Sequence, residues 1–465
     1  MTTRGIGPPM GRAGDPARRV AYDLLRAVSE RDAYANLVLP ALLRKAGLAG
    51  RDAALATELA YGTLRWRGSY DAVLSACVDR PLDRLDPPLL DALRLGSHQL
   101  LSMRIPPHAA VSQTVALVRS AIGHRTTGLA NAVLRKVGRA DLPAWVGRLA
   151  PDRDTDPVGH RAVATSHPRW VVEALGDALG TDGAELDELL AAHNTAPSVT
   201  LVARPGLADV ETLRRKIGAA AGRWSPYAAV LAGGDPAALS GVRTGRIGVQ
   251  DEASQLAALA MVGADVDGRD EAWLDLCAGP GGKAALLGAL AAGRGARVTA
   301  HELAPHRADL VRRSAAPLGD RVQVRVGDGR DVGAAEPARY DRVLVDAPCT
   351  GLGALRRRPE ARWRRVPGDV GDLVRLQGAL LASALRAVRP GGVVLYATCT
   401  PVLAETLGVV DRVLAGHPEV ALLDARDALD DIAGLRGTLP ARPTVQLWPH
   451  RHGTDAMFLA LLRRH

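Results

Sequence analysis

Two cysteines, Cys349 and Cys399, each come directly after a predicted strand. Cys349 closes the sequence Asp346-Ala-Pro-Cys, and Cys399 closes the sequence Tyr396-Ala-Thr-Cys. A lone cysteine is usually a small buried hydrophobic residue, which is what we predict for Cys77. A pair of thiols at two strand ends is different, because ionised thiols are nucleophiles.

The residues after Cys399 predict a helix. Thr400 and Pro401 are typical of an N-cap and a first turn, and apolar residues continue at helical spacing as far as Gly416. Cys399 would then lie just before a helix N-terminus. The helix dipole at that position favours a thiolate over a neutral thiol.

A glycine-rich turn follows another predicted strand and opens a helix. Glycines let a backbone approach a ligand closely, and the first turn of a helix offers free amides. The alternatives are an ordinary strand–helix turn and a P-loop, but Cys277 and Ala284 occupy the first Gly and the Ser/Thr positions of the P-loop motif. The turn consists of Cys277, Ala278, Gly279, Pro280, Gly281, Gly282 and Lys283.

Two acidic residues follow the next two predicted strands. Glu302 comes 23 positions after Gly279, the distance at which an acidic residue accepts the ribose hydroxyls of a nucleoside cofactor; a solvated surface residue is the alternative. Asp328 stands in Gly-Asp-Gly, where it can accept an adenine amino group or simply form a turn. Lys283 is the single lysine of the second half of an arginine-rich chain, which indicates a compact ammonium beside a carboxylate.

A mostly parallel sheet would bring these residues to one edge. Helical stretches separate most of the predicted strands, which is typical of a sheet with helices on both faces. Ligands of such sheets bind at the carboxyl ends of the strands, near the switch point of the topology. The predicted strands are residues 271–277, 297–302, 322–326, 341–346 and 392–396.

The rest of the chain divides by composition and periodicity. Residues 1–16 predict a disordered basic arm, and residues 17–140 predict a domain of about five to seven helices. Residues 141–161 are rich in Asp, Pro and Gly and predict a linker. Residues 162–245 mix helical and strand patterns and predict a small α/β subdomain, and residues 246–465 hold the larger sheet.

The positive charge is concentrated in the first third of the chain. Residues 1–150 hold 21 Lys and Arg against 12 Asp and Glu, whereas the remaining residues hold 38 of each. A general preference for Arg in the composition does not produce this asymmetry. The helical region is therefore predicted to meet a polyanion such as RNA.

Composition excludes several classes of protein. No apolar run approaches the roughly 18 residues of a membrane span, and the first twenty residues lack a secretory hydrophobic block. Four cysteines without a C-x-x-C pair predict a reduced, cytoplasmic protein. His450 and His452 form the one close histidine pair, without further ligands at metal spacing, so we predict a basic surface turn and no metal.

Taken together, these motifs resemble those of the Sun (RsmB) group of S-adenosylmethionine-dependent RNA 5-cytosine methyltransferases. The helical region resembles the NusB RNA-binding fold, with residues 130–136 similar to its last helix. The resemblance covers nearly the whole chain after the first fifteen residues and departs from the family pattern at Thr406 and Ala456-Met457. It rests on residues 277–283, Glu302, Gly327-Asp328, residues 346–351, residues 356–359, Trp363, Leu376-Gln377, residues 396–400, Glu405, residues 249–254 and residues 166–170.

The resemblance implies a multidomain fold and a reaction. The fold would be an all-α NusB-like domain, a small α/β subdomain and a Rossmann-like methyltransferase domain with a mostly parallel sheet. S-adenosylmethionine would be held by residues 277–283, Glu302, Asp328 and Asp346. Cys399 is implied as the nucleophile and Cys349 as the residue that assists elimination, while Asp346 would also hold the cytosine.

Several alternatives remain open at this stage. The NusB-like fusion indicates small-subunit ribosomal RNA as substrate, with a transfer-RNA cytosine as the alternative. A non-catalytic RNA-binding or antitermination factor would lack the glycine turn or the cysteines. An amino-group methyltransferase is disfavoured, because Asp346-Ala-Pro-Cys349 stands where such enzymes carry N/D-P-P-Y/F. We expect RNA as the partner, a monomer, and no membrane contact.

Overall fold

The computed structural model describes residues 15–465, which form two compact units. The helical unit runs to Glu173 and also includes Arg357–Arg362, and the sheet unit comprises Ala174–Arg356 and Trp363–His465. The predicted arm, residues 1–16, lies outside the described residues except for its last two. Among the helices from residue 15 onward, none combines the length and the apolar character that a membrane crossing requires.

Seven helices form the first part of the helical unit, within the predicted range. The first begins at Pro16 because the Asp15 side chain accepts a hydrogen bond from the Arg18 amide at 3.0 Å. Cys77 is buried in the core of this unit, which confirms its structural role. The helices are α1 (Pro16–Arg31), α2 (Ala35–Lys45), α3 (Gly50–Arg65), α4 (Arg67–Cys77), α5 (Pro87–Leu101), α6 (Pro107–Ala121) and α7 (Thr127–Val137).

The predicted linker, residues 141–161, is wrong. This stretch folds into α8 (Leu142–Leu149) and the first part of α9 (Pro157–Ala164). Each helix begins at an Asp-x-Pro or Asp-Pro sequence whose aspartate caps the first turn: Asp141 accepts from the Ala144 amide and Asp156 from the Gly159 amide. The same Asp and Pro residues that suggested a linker are therefore helix starts.

Arg357–Arg362 complete the helical unit from far along the chain. The Glu360 carboxylate accepts a hydrogen bond from the Ala35 amide at 3.1 Å. Arg362 is fully buried and donates to the carbonyl oxygens of Ser166 at 2.9 Å and Arg65 at 3.3 Å. The helical region is therefore not a module confined to residues 17–140, and no local pattern in the sequence indicated this closure.

The sheet unit begins with a small α/β layer. The sequence predicted a subdomain over residues 162–245, but the helical unit extends to Glu173 and the fourth strand of this layer ends at Val249. The strands of the layer are all antiparallel and lie in the order β2-β3-β1-β4. The Asp209 side chain caps the helix that follows the first strand. The elements are α10 (Arg169–Leu179, which leads in from the helical unit), α11 (Ala184–His193), β1 (Thr200–Ala203), α12 (Val210–Ile217), β2 (Ala220–Ala221), β3 (Ala228–Val230), α13 (Ser240–Arg243) and β4 (Ile247–Val249).

The second part of the sheet unit is a larger, mostly parallel sheet. All five strands predicted for it are present, with ends shifted by a few residues. The elements are α14 (Glu252–Gly263), β5 (Ala272–Asp275), α15 (Gly282–Ala292), β6 (Arg297–Glu302), α16 (Pro305–Ala315), β7 (Val322–Val326), α17 (Gly329–Ala335), β8 (Tyr340–Asp346), α18 (Ala361–Arg364), α19 (Pro367–Ala387), β9 (Val388–Thr398), α20 (Leu407–Ala415), β10 (Val420–Leu423), β11 (Val445–Leu447), α21 (Pro449–His452) and β12 (Met457–Arg464).

The order of the strands places the predicted residues at one edge. The sheet runs β10-β12-β9-β8-β5-β6-β7, parallel from β9 to β7 and antiparallel where β12 joins. Successive strands depart in opposite directions from β5, so the switch point lies between β5 and β8. Apolar clusters cover both faces, with α14 and α15 on one and α19 and α20 on the other. The predicted fold class is confirmed.

Candidate active site

The glycine turn between β5 and α15 reaches across to the end of β6. The Gly279 amide donates to the Glu302 carboxylate at 3.0 Å. A Cβ at Gly279 would lie 2.2 Å from a Glu302 oxygen, and Gly281 has a left-handed φ of 107° with the Val311 backbone 2.8 Å from where its Cβ would be. Both positions therefore require glycine.

Glu302 is fixed at the edge of the sheet by backbone donors. Besides Gly279, the Ala304 amide donates to its carboxylate at 3.0 Å, and the Arg307 guanidinium lies 3.4 Å away. Glu302 itself is buried, whereas Arg307 is exposed. The structure thus brings the predicted acidic residue directly against the glycine turn.

Asp328 lies at the next strand end, after β7. Its carboxylate caps α17 by accepting a hydrogen bond from the Arg330 amide at 2.9 Å, and it also pairs with the Arg330 guanidinium. These hydrogen bonds lower the pKa of Asp328 to about 2. A half-buried, permanently charged carboxylate therefore stands at the same edge of the sheet as Glu302.

Lys283 connects the glycine turn to the strand that precedes Cys349. Its Nζ lies 2.7 Å from Asp346 Oδ2, at the end of β8, and 3.3 Å from Ser254 Oγ on α14. Burial opposes the Lys283 charge, but the charge and hydrogen bond of Asp346 outweigh it and raise its pKa. The sequence predicted a carboxylate beside this lysine, and Asp346 provides it.

The two predicted cysteines meet in the structure. β8 pairs with β9 in parallel register, with Asp346 opposite Ala397, so the loops that follow the two strands start side by side. Cys349 Sγ and Cys399 Sγ are 3.4 Å apart, and both residues are half-buried. The third thiol of the region, Cys277, has its pKa raised well above the usual value by burial and by neighbouring carboxylates, so it stays neutral.

The predicted helix after Cys399 is wrong in its start. α20 begins at Leu407, and a short 3-10 turn over Leu403–Glu405 precedes it, so the helix dipole does not act on Cys399. Thr400 does not cap a helix, because its hydroxyl lies 2.9 Å from the hydroxyl of Thr350 on the loop that carries Cys349. The same hydroxyl also accepts a hydrogen bond from the Val402 amide at 3.3 Å, so a local turn tied to the neighbouring loop stands where the helix start was predicted.

The far end of the Cys349 loop is anchored by Arg356. Its guanidinium donates to Asp455 at 2.6 Å, to Asp251 at 2.8 Å and to the Gly453 carbonyl at 2.7 Å. Asp251 is also the N-cap of α14, the helix that carries Ser254 beside Lys283. Arg356 therefore fixes the Cys349 loop to the start of α14, the helix whose Ser254 contacts Lys283.

Asp275, the last residue of β5, is a site residue that the sequence analysis missed. It is 1% exposed, and among residues 15–465 no side-chain hydrogen-bond partner reaches either carboxyl oxygen. Burial and the negative charge of Asp346 raise the pKa of Asp275 to about 7, against the opposing effect of Lys283. Its signal was an acidic residue inside an otherwise apolar strand, Ala-Trp-Leu-Asp-Leu.

The histidine pair is not the surface turn that the sequence predicted. His452 is buried, and burial lowers its pKa to about 4, while its ring accepts a hydrogen bond from the Trp448 amide. His450 contacts the Glu185 carboxylate at 3.0 Å. Both histidines lie in α21 and pack its short turn against the rest of the sheet unit.

Comparisons with known proteins agree with this architecture. Residues 266–463 match the family described as 16S rRNA methyltransferase RsmB/F, and residues 15–139 match the NusB family. The crystal structure of PH0851 superimposes with a TM-score of 0.81 at 22% identity, covering 99% of this chain and all of that one.

Relatives of full length carry methyltransferase names. A protein of Mycobacterium tuberculosis (strain ATCC 25618 / H37Rv), provisionally named a methyltransferase, is 54% identical over the whole of both chains. Ribosomal RNA small subunit methyltransferase B of Sodalis glossinidius is 31% identical, covering 95% of this chain and 96% of its own. The chain therefore belongs to the RsmB/F family of ribosomal RNA methyltransferases, with a NusB-family domain ahead of the catalytic part.

The raised pKa of Asp275 predicts a pH-dependent stability. The folded protein holds a proton on Asp275 that the unfolded chain releases near pH 4, so the free energy of unfolding falls as pH rises from about 4 to 7. Each unit of pKa difference contributes about 1.4 kcal/mol to that fall. Asp275→Asn, which mimics the protonated form, should flatten this part of the curve in urea titrations at several pH values. Curves of equal slope for both proteins would contradict the assignment.

Proposed function

We propose that the protein transfers a methyl group from S-adenosylmethionine to carbon 5 of a cytosine in RNA, through a covalent intermediate. The observation that carries this proposal is the pair of thiols 3.4 Å apart at the ends of adjacent strands. They lie on the ligand side of a methyltransferase sheet, whose glycine turn and Lys283–Asp346 pair follow neighbouring strands. A binding factor without chemistry would have no use for such a pair.

The reaction explains why a thiol is needed. Carbon 5 of cytosine is too weakly nucleophilic to attack a methyl sulfonium unaided. The Cys399 thiolate adds to carbon 6, and the resulting enamine carries electron density on carbon 5. Bound S-adenosylmethionine supplies the electrophilic methyl group. A base then accepts the proton from carbon 5, the electrons of that carbon–hydrogen bond restore the 5,6 double bond, and the carbon–sulfur bond breaks to return the Cys399 thiolate. We assign Cys349 to assist this step.

The turn of residues 277–283 fits a nucleoside cofactor. Its two glycines allow the backbone to pass where a Cβ would clash, and Glu302 and Asp328 present carboxylates at the next two strand ends. We assign the ribose hydroxyls to Glu302 and the adenine amino group to Asp328. We assign Asp346, which pairs with Lys283, to both the cofactor and the cytosine, whose nitrogen 3 and amino group need an acidic partner.

RNA is the partner that we assign to the helical unit. The excess positive charge of the chain falls within residues 1–150, most of which belong to this unit. Small-subunit ribosomal RNA is the substrate that the family membership favours. The monomeric state and the cytoplasmic location stay predictions of the sequence.

Glu302→Gln should weaken cofactor binding. The amide keeps the shape of the side chain but loses the charge that strengthens hydrogen bonds to ribose hydroxyls, so we expect a loss of about 1–3 kcal/mol. Isothermal titration of S-adenosylmethionine into the full-length protein measures it. Unchanged affinity would remove Glu302 from the cofactor site.

Alanine substitution of the two cysteines should block different steps of the reaction. Cys399→Ala cannot bond to carbon 6 and should show neither methyl transfer nor an RNA adduct. Cys349→Ala should attack and methylate but release slowly, so a protein–RNA adduct should accumulate and appear as a retarded band on a denaturing gel. An adduct in Cys399→Ala and none in Cys349→Ala would reverse the roles, and full activity in both would refute the covalent mechanism.

The substrate can be read directly from RNA. Bisulfite sequencing of ribosomal and transfer RNA from a deletion strain should reveal one cytosine in small-subunit ribosomal RNA that has lost its methyl group. Re-expression of the protein should restore that methyl group, whereas the Cys399→Ala variant should not. Loss at a transfer-RNA cytosine instead would identify the alternative substrate.

A further inference from the structure

The two adjacent thiols cannot both be ionised at once. Two thiolates 3.4 Å apart would repel each other strongly, so the pair loses its first proton well before its second. The remaining proton can then bridge the two sulfurs, because either atom can be the donor. Which cysteine becomes the nucleophile depends on the charges that surround each of them.

The buried carboxylate of Glu405 binds the residue that follows Cys349. It accepts hydrogen bonds from the Thr350 amide at 2.8 Å and from the Thr350 hydroxyl at 2.5 Å, so it grips the residue that follows Cys349. Gln377, on α19, donates to the same carboxylate at 3.0 Å and to the Pro348 carbonyl at 2.8 Å. Thr350 is thus bound to the Glu405 carboxylate directly, and Pro348 is bound to it through Gln377.

The loop of Cys399 is joined to the loop of Cys349 by two hydrogen bonds. The Thr400 hydroxyl contacts the Thr350 hydroxyl, and the Gly353 amide donates to the Cys399 carbonyl at 2.9 Å. A Cβ at Gly353 would lie 2.7 Å from that carbonyl, so the close approach of the two loops requires glycine. The distance between the sulfurs is set by these contacts.

The charges around the pair are unequal. A hydrogen bond that the Cys349 thiol donates to the Cys399 sulfur, burial, and the negative charges of Cys399 and Glu405 raise the pKa of Cys349 well above the usual value. On the other side, the Lys283 ammonium interacts with Cys399, and Asp346 partly neutralises that ammonium. Tyr396 is a further titratable neighbour; burial and the nearby negative charges raise its pKa, so it stays neutral.

We propose that Glu405 is a positioning residue that keeps the proton on Cys349 and thereby leaves Cys399 as the thiolate. It acts through Thr350 for geometry and through its negative charge for the proton, without touching the substrate. The inference rests on the proposed function only for its consequence, namely that one thiol attacks while the other waits to assist elimination.

The test is competition between the two thiols for a limiting amount of iodoacetamide in the full-length protein. Arginines separate Cys349 and Cys399 into different tryptic peptides, so mass spectrometry gives the ratio of their modification within one sample. The parent protein should react first at Cys399. Glu405→Gln, which keeps the shape and removes the charge, should shift the ratio toward Cys349 by about tenfold, the effect of one pKa unit.

The ratio separates electrostatics from loosened structure. Loosening of the Cys349 loop would shift the ratio in Glu405→Asp as well as in Glu405→Gln, whereas loss of the charge shifts it in Glu405→Gln alone. Glu405→Asp, which retains the charge, should stay near the parent ratio. Asp411→Asn, which removes an exposed carboxylate on α20, is the matched control and should leave the ratio unaltered.

Two results would overturn the proposal. One is a parent protein that reacts first at Cys349, a measurement that stands even if Glu405→Gln fails to fold. The other is a folded Glu405→Gln protein with the parent ratio. The proposed function fails separately: if Cys399→Ala and Cys349→Ala both keep full activity while the thiol ratio still responds to Glu405→Gln, the covalent reaction is wrong and the role of Glu405 stands.

Discussion

The parallel pairing of β8 with β9 is the constraint on which the site depends. Its register sets Asp346 opposite Ala397, so the two loops that carry cysteines leave the sheet as neighbours. A slip of one residue would turn every side chain of β9 to the opposite face and separate the thiols. The antiparallel strand β12 borders β9 on its other side and holds that register over six residue pairs.

Several charged side chains of this site are buried. The Lys283 ammonium contacts the Asp346 carboxylate, and the charge of Asp346 acts on the buried Asp275. Glu405 accepts a hydrogen bond from the amide of Thr350, the residue after Cys349. In such an environment, each charge shifts the protonation of its neighbours by more than it would in water. The site therefore gives its acids and thiols different protonation states through position alone.

Features that follow from the order of helices and strands along the chain could be predicted from the sequence. Features that depend on contacts between residues far apart in the sequence could not. The strands, the glycine turn and the meeting of Cys349 with Cys399 follow from alternating elements whose carboxyl ends share an edge. The start of α20 was missed because the Thr400 hydroxyl bonds both to the Val402 amide and to Thr350 on the neighbouring loop, and a 3-10 turn precedes the helix. Helices α8 and α9 were missed, and a linker was predicted in their place, because Asp and Pro mark helix starts and loops alike.

The burial of Arg362 in the helical unit has a consequence for biosynthesis. Its partner carbonyl on Arg65 lies 297 positions earlier, so that carbonyl leaves the ribosome long before its donor is made. Domains generally fold in order from the N-terminus during translation. The helical unit can form its N-terminal helices early. Its packing around Arg362 is completed only after much of the sheet unit has been synthesised.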